Sequence, residues 1–473
     1  MRSMFAALFV LLLVSFANAQ QRWTMTYGGA SYDVGNSARQ TSDGGYIIVG
    51  GTSSYGHGFP DLDVWLIKTN ASGDTLWTRT YGGTHSDFGA AVRQTSDNGY
   101  IIAGYTLSFG AGGYDVWLIK TDSSGETLWT RTFGGAVDEE GCDVQQTLDG
   151  GFIVAGYTTS FGAGGYDVYL IKTNASGDTL WTRTYGGTGA DLGNSVEQTA
   201  DSGYIVAGYT NSFGAGGNDV YLIKTNATGD TTWTRTCGTT ADDLGYSVRQ
   251  TSDRGYIVAG YTSSSGADSD DVYLVKTNAS GDSLWTRTYG GTGTDWGYSV
   301  GQTSNGGYVI AGLTSSFGAG NADVYAIKTS ASGDTLWTRT YGGTARDVGL
   351  SVQETSDGGC IIAGFTGSFG AGGADAYLVK MDANGSVSLE EPRSGRLMAA
   401  GSLRATPNPF TASARIAGHE AERFNLYDAS GRRLGVCRGD RVGAGLRPGV
   451  YFMSPVGARP GRDVTQTIIK AGF

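Results

Sequence analysis

Hydrophobic and polar residues recur along this chain in one pattern with a nearly fixed spacing. Each copy contains two short apolar runs, such as Tyr100–Thr106 and residues 115–120, and then a segment in which large and small residues alternate, such as Thr127–Phe133. A short polar-apolar segment, such as residues 91–95, precedes them, and turn residues separate all four. Continuous apolar runs predict strands buried on both faces, and alternation predicts an outer strand with one buried face. Each copy therefore predicts four strands, called a, b, c and d.

The copies follow one another without interruption through most of the chain. The first step between the tryptophans that mark them is 54 residues, and every later step is 52 residues. A fixed period of this length indicates an array of one supersecondary unit, each copy too small to bury its apolar face alone. The tryptophans are Trp23, Trp77, Trp129, Trp181, Trp233, Trp285 and Trp337.

The two ends of the array complement each other. The last copy lacks a fourth strand, because Leu389 stands where its Trp is expected. The array of repeats begins with an isolated d strand, Trp23–Tyr27. Four-stranded sheets packed around an axis form a β-propeller, and closure removes exposed sheet edges. The sequence therefore predicts an all-β, seven-bladed propeller in which Trp23–Tyr27 completes the blade formed by residues 351–380.

Composition supports a packed, exported protein. Gly accounts for 79 of 473 residues, about twice the usual share, but the glycines recur in phase with the predicted turns. Arg2 precedes the apolar residues 5–14 and a small-residue cleavage site ending at Ala19. This pattern predicts a signal peptide over residues 1–19. The four cysteines occupy different positions of different copies or lie in the tail, so no disulfide framework is predicted.

Charge separates two modules. Residues 403–473 hold ten Arg and one Lys against five acidic residues, a net charge of +6. The whole chain has a net charge of −11 and Arg2 contributes +1, so residues 21–402 carry −18. We therefore expect a propeller over residues 20–389, a linker over 390–402 and a small Ig-like β-sandwich over 403–473. An acidic propeller argues against nucleic acid as a partner, and we expect a monomer.

The turn between strands c and d resembles that of a known propeller family. Residues 171–181, IKTNASGDTLW, are similar to the PQQ-like repeat of quinoprotein-like propellers, in which a glycine turn precedes a docking Trp. The resemblance implies the architecture. It implies no cofactor here, because the vicinal disulfide of quinoprotein dehydrogenases has no counterpart among cysteines that are never adjacent.

The tail resembles the type A C-terminal sorting domain of type IX secretion substrates. This resemblance implies passage through the inner membrane by the signal peptide, then across the outer membrane by the type IX machinery, to a secreted or outer-membrane surface location. A plain Ig-like accessory domain is the alternative. The matching positions are Pro407, Asn408, Pro409, Gly431, Gly449, Tyr451 and Lys470.

Candidate ligand-binding residues come from the segments that differ between copies. The a–b and c–d turns hardly vary, whereas the d–a and b–c loops do, and propeller connectivity places those two loops on the same rim. Aromatic side chains on a polar rim suit sugars or protein loops. The candidates are Tyr55, His57, Phe59, His85, Asp138, Glu139, Glu140, Asp243, Asp268, Asp270, Trp296 and Arg346.

Residues that repeat in every copy are better explained by structure than by function. The Asp before each strand c, for example Asp115, could bond the amides of its own loop. The Gln at the end of strand a in six copies, for example Gln94, is also interpreted as structural, and Glu354 breaks this series in the seventh copy. The acidic groups around Asp138 and Asp270 could hold Ca²⁺ through oxygen ligands. Neither has an ordered ligand spacing, so solvated acidic loops are the simpler interpretation.

Signals for catalysis in the sequence are weak. His57, His85 and His419 are its three histidines, and no zinc-binding helix motif or Walker loop occurs. The leading hypothesis is a non-catalytic binding or adhesion module that recognises extracellular glycan or protein. One alternative is a hydrolase or lyase that uses rim carboxylates on polysaccharide, and another is a structural spacer without a ligand.

Overall fold

Twisted antiparallel sheets of four strands repeat through the chain. The computed structural model describes residues 22–264 and 269–388 together with short strands beyond them. Six sheets have the order a-b-c-d from one copy of the repeat, and a seventh combines strands from both ends of the array. This is the predicted seven-bladed β-propeller, with strand a innermost and strand d outermost.

The strands have nearly the same bounds in every blade. In blades one to seven, strand a spans Asp33–Gln40, Asp87–Gln94, Glu139–Gln146, Asp191–Gln198, Asp243–Gln250, Asp295–Gln302 and Asp347–Glu354. Strand b spans Tyr46–Thr52, Tyr100–Thr106, Phe152–Thr158, Tyr204–Thr210, Tyr256–Thr262, Tyr308–Thr314 and Cys360–Thr366. Strand c spans Asp63–Thr69, Asp115–Thr121, Asp167–Thr173, Asp219–Thr225, Asp271–Thr277, Asp323–Thr329 and Asp375–Met381. Strand d spans Thr75–Tyr81, Thr127–Phe133, Thr179–Tyr185, Thr231–Cys237, Ser283–Tyr289 and Thr335–Tyr341 in blades one to six, and Trp23–Tyr27 in blade seven.

Blade seven is closed as the sequence predicts. Trp23–Tyr27 pairs antiparallel with Asp375–Met381, with Met25 opposite Leu378. All five of its residues are buried. Arg393–Ser394, inside the predicted linker, adds a short parallel fifth strand to the same sheet.

Neighbouring blades pack through strand d and the following c–d turn. The ring of Trp129 meets that of Phe152 edge-on at 5.8 Å. The Arg131 guanidinium lies over the Trp129 ring at 5.5 Å and forms an ion pair with Asp178 of blade three at 3.2 Å. The large residues of strand d therefore pack on the next sheet and form its predicted buried face, and the predicted burial of strands b and c on both faces is confirmed.

Strand a begins earlier than predicted. In blade two it starts at Asp87 rather than at residue 91, and its register shifts by a bulge between Gly89 and Ala91. The polar start is stable because the hydroxyl groups of Thr106 and Ser108 donate hydrogen bonds to the buried Asp87 carboxylate. Bulges add twist and re-aim side chains, and here the bulge lies beside the central channel.

The C-terminal unit, residues 396–473, is described by its strands alone. Four form an antiparallel sheet in the order Arg433–Arg438, Arg423–Asp428, Gly449–Pro455 and Gln466–Lys470, and Ala405–Thr406 pairs with Arg415–Ile416. The two-sheet Ig-like sandwich stays a prediction.

Several predicted features lie outside the described residues. These are the signal peptide over residues 1–19, the sorting positions Pro407, Asn408, Pro409 and Gly431, and the rim residue Asp268. The backbones of Gly449, Tyr451 and Lys470 lie in the C-terminal strands. In the described part of the chain, no helix has the length and apolarity needed to span a bilayer.

Candidate functional site

The blade-one and blade-two rim candidates are mostly exposed and contact their own loops. Phe59 is 80% exposed, and the Tyr55 ring lies 5.3 Å from that of Trp65. The His57 ring nitrogen Nδ1 lies 3.2 Å from Asp63 Oδ1. His85 is exposed on the d–a loop of blade two. These side chains therefore form an accessible but loosely organised part of the rim.

Two of the rim candidates are buried instead. Glu139 takes the position that Asp occupies at the start of strand a in the other blades, and its carboxylate accepts hydrogen bonds from Thr158 Oγ1 at 2.7 Å and Gly135 N at 2.6 Å. Asp243 is placed likewise and accepts from Thr239 N at 2.7 Å. Both are almost fully buried. Strand a begins earlier than predicted, so these two residues lie inside the strand and not in the rim loop. Their carboxylates accept hydrogen bonds within the blade and are not accessible on the rim.

The other candidates lie in or beside two aromatic clusters at the d–a/b–c end of the blades, and Trp296 is a member of the second. The first cluster comprises the contacting rings of Phe88, Tyr105 and Tyr114 in blade two and the contacting pair Tyr157 and Tyr166 in blade three. The second comprises Tyr246, Tyr261, Trp296 and Tyr298. In the second cluster the Trp296 ring stacks on Tyr261 at 4.8 Å, and Tyr246 lies 5.2 Å from Tyr298. In the first, Phe88 stacks on Tyr105 at 5.3 Å. All but Tyr166 are half-buried, and Tyr166 is exposed.

Carboxylates accompany both clusters. Asp270 accepts a hydrogen bond from the Trp296 indole at 3.0 Å, and Asp138 accepts one from the main-chain amide of Tyr114 at 3.0 Å. Glu140 is bonded to the Tyr157 hydroxyl, and burial raises the pKa of the Glu140 carboxyl. Arg346 is exposed, and its charge acts on Tyr298, whose pKa burial raises. Asp138, Glu140, Asp270, Trp296 and Arg346 are thus placed beside aromatic rings.

The central channel holds a group of charged residues that the sequence reading missed. The seventh residue of strand a points to the channel, and it is Arg39, Arg93 and Arg249 in blades one, two and five. These arginines line a cavity of about 510 Å³ at the a–b end of the channel, together with Glu197 and Gln353. They also line a narrower chamber of about 80 Å³ that includes Tyr246 and Tyr298 of the second aromatic cluster.

The charged groups in the channel shift one another's pKa values. Arg93 Nη2 lies 2.8 Å from Asp143 Oδ1. Burial alone would raise the pKa of the Asp143 carboxyl, but the guanidinium groups of Arg93, Arg249 and Arg39 outweigh burial and lower that pKa. Burial raises the pKa of Glu197, although Arg249 opposes it. Burial, then repulsion from Arg93 and Arg249, lowers the pKa of Arg39 well below its usual range.

The repeated polar residues have the structural roles predicted for them. Asp115 Oδ2 accepts from the Ala111 amide of its own loop at 2.8 Å, as its counterparts do in other blades. Gln94 Oε1 accepts from Ser42 N of the preceding blade at 2.8 Å. Gln40 makes the same bond to Ser356 of blade seven at 2.8 Å, so this series runs across the closure.

Cysteine and metal chemistry contribute little to the site. The four cysteines are free thiols, and in the described ranges no group of three or more His, Cys, Asp or Glu side chains is arranged to hold a metal ion. Burial raises the pKa of Cys237 to about 11 and that of Cys360 to about 12. Buried thiols of this kind are unreactive.

Comparisons with known proteins add similarity of fold alone. No family model matches this chain, and no curated protein matches it significantly. Among solved structures, the WD40 domain of Pan2 from Neurospora crassa is similar at 9% identity, covering 79% of this chain and 99% of that one, with a TM-score of 0.46. Sqt1 from Chaetomium thermophilum gives 11% identity, 80% and 88% coverage and a TM-score of 0.45. BamB from Moraxella catarrhalis gives 14% identity, 72% and 96% coverage and a TM-score of 0.34.

A signal for the missed residues is present in the sequence. Within the nearly constant SVxQT segment, the x position is Arg, Arg, Gln, Glu, Arg, Gly and Gln in blades one to seven. Variation between blades at this position of strand a therefore marks the channel, just as variation between loops marks the rim. Tyrosines of strand b repeat in several blades, which is typical of core residues. In the structure, Tyr105, Tyr157 and Tyr261 are only half-buried.

Proposed function

We propose that this chain is an exported or cell-surface binding module, without catalytic activity, that recognises extracellular glycan or protein through the d–a/b–c face of its propeller. The resemblance of the tail to type A sorting domains supports delivery by type IX secretion. The signal-peptide pattern of residues 1–19 supports export across the inner membrane.

The observation that carries the proposal is the pair of half-buried aromatic clusters on this face. Rings such as Tyr261 and Trp296 are held by stacking at 4.8 Å while part of each surface stays accessible. Rigid aromatic side chains with a polar tip supply contact area at low entropic cost, and they are enriched at recognition surfaces. Asp270 and Asp138 add hydrogen-bond acceptors that could orient a sugar hydroxyl or a peptide amide.

The area available is adequate for specific binding. Covering the exposed part of one half-buried ring removes roughly 50 Å² from water, worth about 1 kcal/mol at the usual coefficient. Several such rings, with hydrogen bonds to neighbouring carboxylates and after the costs of association, account for weak affinities, about millimolar. Sugars contact proteins in this way because their apolar faces can lie on a ring while their hydroxyl groups reach neighbouring carboxylates.

The direct test is binding to a glycan array and to extracellular proteins, measured with residues 20–473. Trp296→Ala and Tyr261→Ala should each weaken binding about tenfold, or about 1.4 kcal/mol. Leu148→Ala is the matched control, since Leu148 is 85% exposed on an a–b turn at the opposite end of the blades. Absence of any ligand, or equal binding by all three variants, would overturn the proposal.

Catalysis is tested in parallel. The wild-type chain and the variants Asp138→Asn and Glu140→Gln are assayed for turnover of polysaccharides. Turnover that is present in the wild type and lost in either variant would show that the chain is a hydrolase or lyase. Delivery is tested by mass spectrometry of the protein from the outer surface and the medium of its cells. A mature chain that starts near residue 20 supports export, whereas an intact residue 1–19 segment on a cytoplasmic protein contradicts it.

A further inference from the structure

Three guanidinium groups line the central channel, and in the described part of the chain only Arg93 among them has a carboxylate within ion-pair distance. Arg39, Arg93 and Arg249 come from the same position of strand a in three blades and line one cavity. Asp143 is paired with Arg93 at 2.8 Å. Glu197 and Glu354 line the same cavity and accept hydrogen bonds from main-chain amides of neighbouring blades. Arg39 and Arg249 therefore keep N–H donors for a ligand in this half-buried space.

Structural need explains these arginines only in part. At the same strand position, Gln145 and Gln353 accept hydrogen bonds from amides of the next blade, from Gln198 N at 2.6 Å and from Gln40 N at 2.9 Å. Glu197 makes the equivalent bond. A guanidinium group has no acceptor atom, so an arginine at this position cannot accept that bond. Arg93 instead pairs with Asp143 of blade three, and Arg249 Nη1 donates to Ser195 Oγ of blade four at 3.3 Å, whereas Arg39 donates within its own blade. Glycine also fits the position, as Gly301 shows in blade six.

The arginines instead direct donors to the cavity. Arg39 Nη1 donates to its neighbour Ala38 O at 2.8 Å, and Arg249 Nη1 donates to Val248 O at 2.6 Å. Each of these bonds uses one of the five N–H donors of a guanidinium group. The planar fork of Arg matches the oxygens of carboxylate, sulfate and phosphate groups, and such bonds are about twice as strong as neutral ones.

We propose that the channel binds a small ligand through an oxyanion (carboxylate, sulfate or phosphate) held by Arg39, Arg93 and Arg249. The cavity of about 510 Å³ lies within the range of small-molecule sites, about 300 to 1,000 Å³. It has room for a ligand such as an acidic monosaccharide. This site opens at the a–b end of the channel, whereas the aromatic face of the proposed function lies at the other end of the blades. The same arginines also line the narrower chamber that reaches Tyr246 and Tyr298.

The experiment is isothermal titration of residues 20–473 with inorganic phosphate, with D-glucuronate and with neutral D-glucose, at pH 7 and at one ionic strength set with chloride. We expect saturable binding of at least one of the two anions with one site per chain, and none of glucose. Tighter binding of glucuronate would identify a carboxylated ligand, and tighter binding of phosphate a phosphorylated one. Absence of saturable binding for both anions would overturn the proposal.

Two substitutions should shift the affinity in opposite directions. Arg39→Gln removes a donor that has no carboxylate partner of its own, and we expect about tenfold weaker binding. Glu197→Gln keeps an acceptor for Gln250 N, as Gln145 does for Gln198, and removes a competing charge. We expect several-fold tighter binding.

A matched control separates the site from the overall charge. Arg287→Gln makes the same charge change on the outer surface. The Arg287 guanidinium lies 5.5 Å from the centre of the Trp285 ring and 3.9 Å from the Asp334 carboxylate. This variant should bind the anion with wild-type affinity. Circular dichroism confirms folding of each variant. Arg39→Lys, which keeps the charge but loses the fork, should bind with intermediate affinity. Equal affinity of Arg39→Gln and the wild-type chain would overturn the proposal.

Discussion

A buried lysine in strand c forms an ion pair with the aspartate of the a–b turn in six of the blades. In blade two, Lys120 Nζ lies 2.9 Å from Asp97 Oδ2 and donates to Thr121 O at 2.8 Å. The lysine side chain is 5% exposed and that of the aspartate 57% exposed. Asp97→Asn would leave a buried cation without its counter-charge, so this substitution tests whether the pair stabilises the blade.

The expected magnitude follows from the pKa of Asp97. Burial opposes ionisation, but hydrogen bonds from Thr95, Lys120 and the Gly99 amide, with the charge of Lys120, outweigh it and lower that pKa to about 2. A difference of about two units from the usual value corresponds to about 2.6 kcal/mol. Because more than half of the carboxylate side chain is exposed, solvent screening reduces this to about 1 kcal/mol.

Blade six provides a natural comparison for this pair. Asn305 stands in place of the aspartate there, accepts from Thr303 Oγ1 at 2.6 Å, and leaves Lys328 to donate to Ala383 O at 3.3 Å. Asn305→Asp should therefore stabilise the protein by about 0.5 kcal/mol or more, whereas Asp97→Asn destabilises it by about 1 kcal/mol. The two substitutions test the same lysine–aspartate pair in opposite directions, and a loss of stability in Asn305→Asp would contradict it.

The assay is urea unfolding at a series of pH values. A folded-state pKa below the unfolded value gives stabilisation that is complete above about pH 4 and is lost as the pH falls through about 2. The wild-type and Asp97→Asn midpoints should therefore differ at pH 7 and converge below about pH 2. Equal midpoints at pH 7, or a difference that persists unchanged at the lowest pH, would refute the reasoning.

Two further predictions concern packing and thiols. Gly104→Ala should destabilise by about 3 kcal/mol or more, because a Cβ would lie 1.8 Å from Phe88 O. Gly301→Ala, whose Cβ would meet its nearest atom at 3.7 Å, should change the urea midpoint little, and similar losses in both variants would contradict this. Cys142, Cys237 and Cys360 should react with a thiol reagent at pH 8 only after denaturation, because burial raises the pKa of each thiol; rapid reaction of more than one thiol in the native protein would contradict it.

Much of the propeller follows from the sequence because its signals are local and repeated. Strands b, c and d are marked by apolar runs between turns, and the missing strand of the last copy identifies Trp23–Tyr27 as its replacement. The start of strand a was predicted too late because Asp87 and Gly89 are typical of loops. Their burial depends on the hydroxyl groups of strand b and on the bulge, which are tertiary features.

The candidate site is less accessible to sequence reasoning. Trp296 and Asp270 were identified from differences between blades, and the structure shows that they contact each other at 3.0 Å. Arg39 and Arg249 were missed because a single repeat does not reveal which strand faces the axis or which residues of distant copies meet there. Contacts across a ring depend on the number of blades and on closure rather than on the composition of any one copy.

Closure by the N-terminal strand is the feature on which the channel and the recognition face both depend. Trp23, Met25 and Tyr27 are almost fully buried against blades seven and one. Burying three such side chains contributes roughly 6 kcal/mol, a large part of the usual total of about 5 to 15 kcal/mol. The most direct measurement is the thermal unfolding midpoint of residues 29–473 compared with residues 20–473. We predict a midpoint lower by about 10 °C or more, or no cooperative transition at all. An unchanged midpoint would contradict closure of the propeller by this strand.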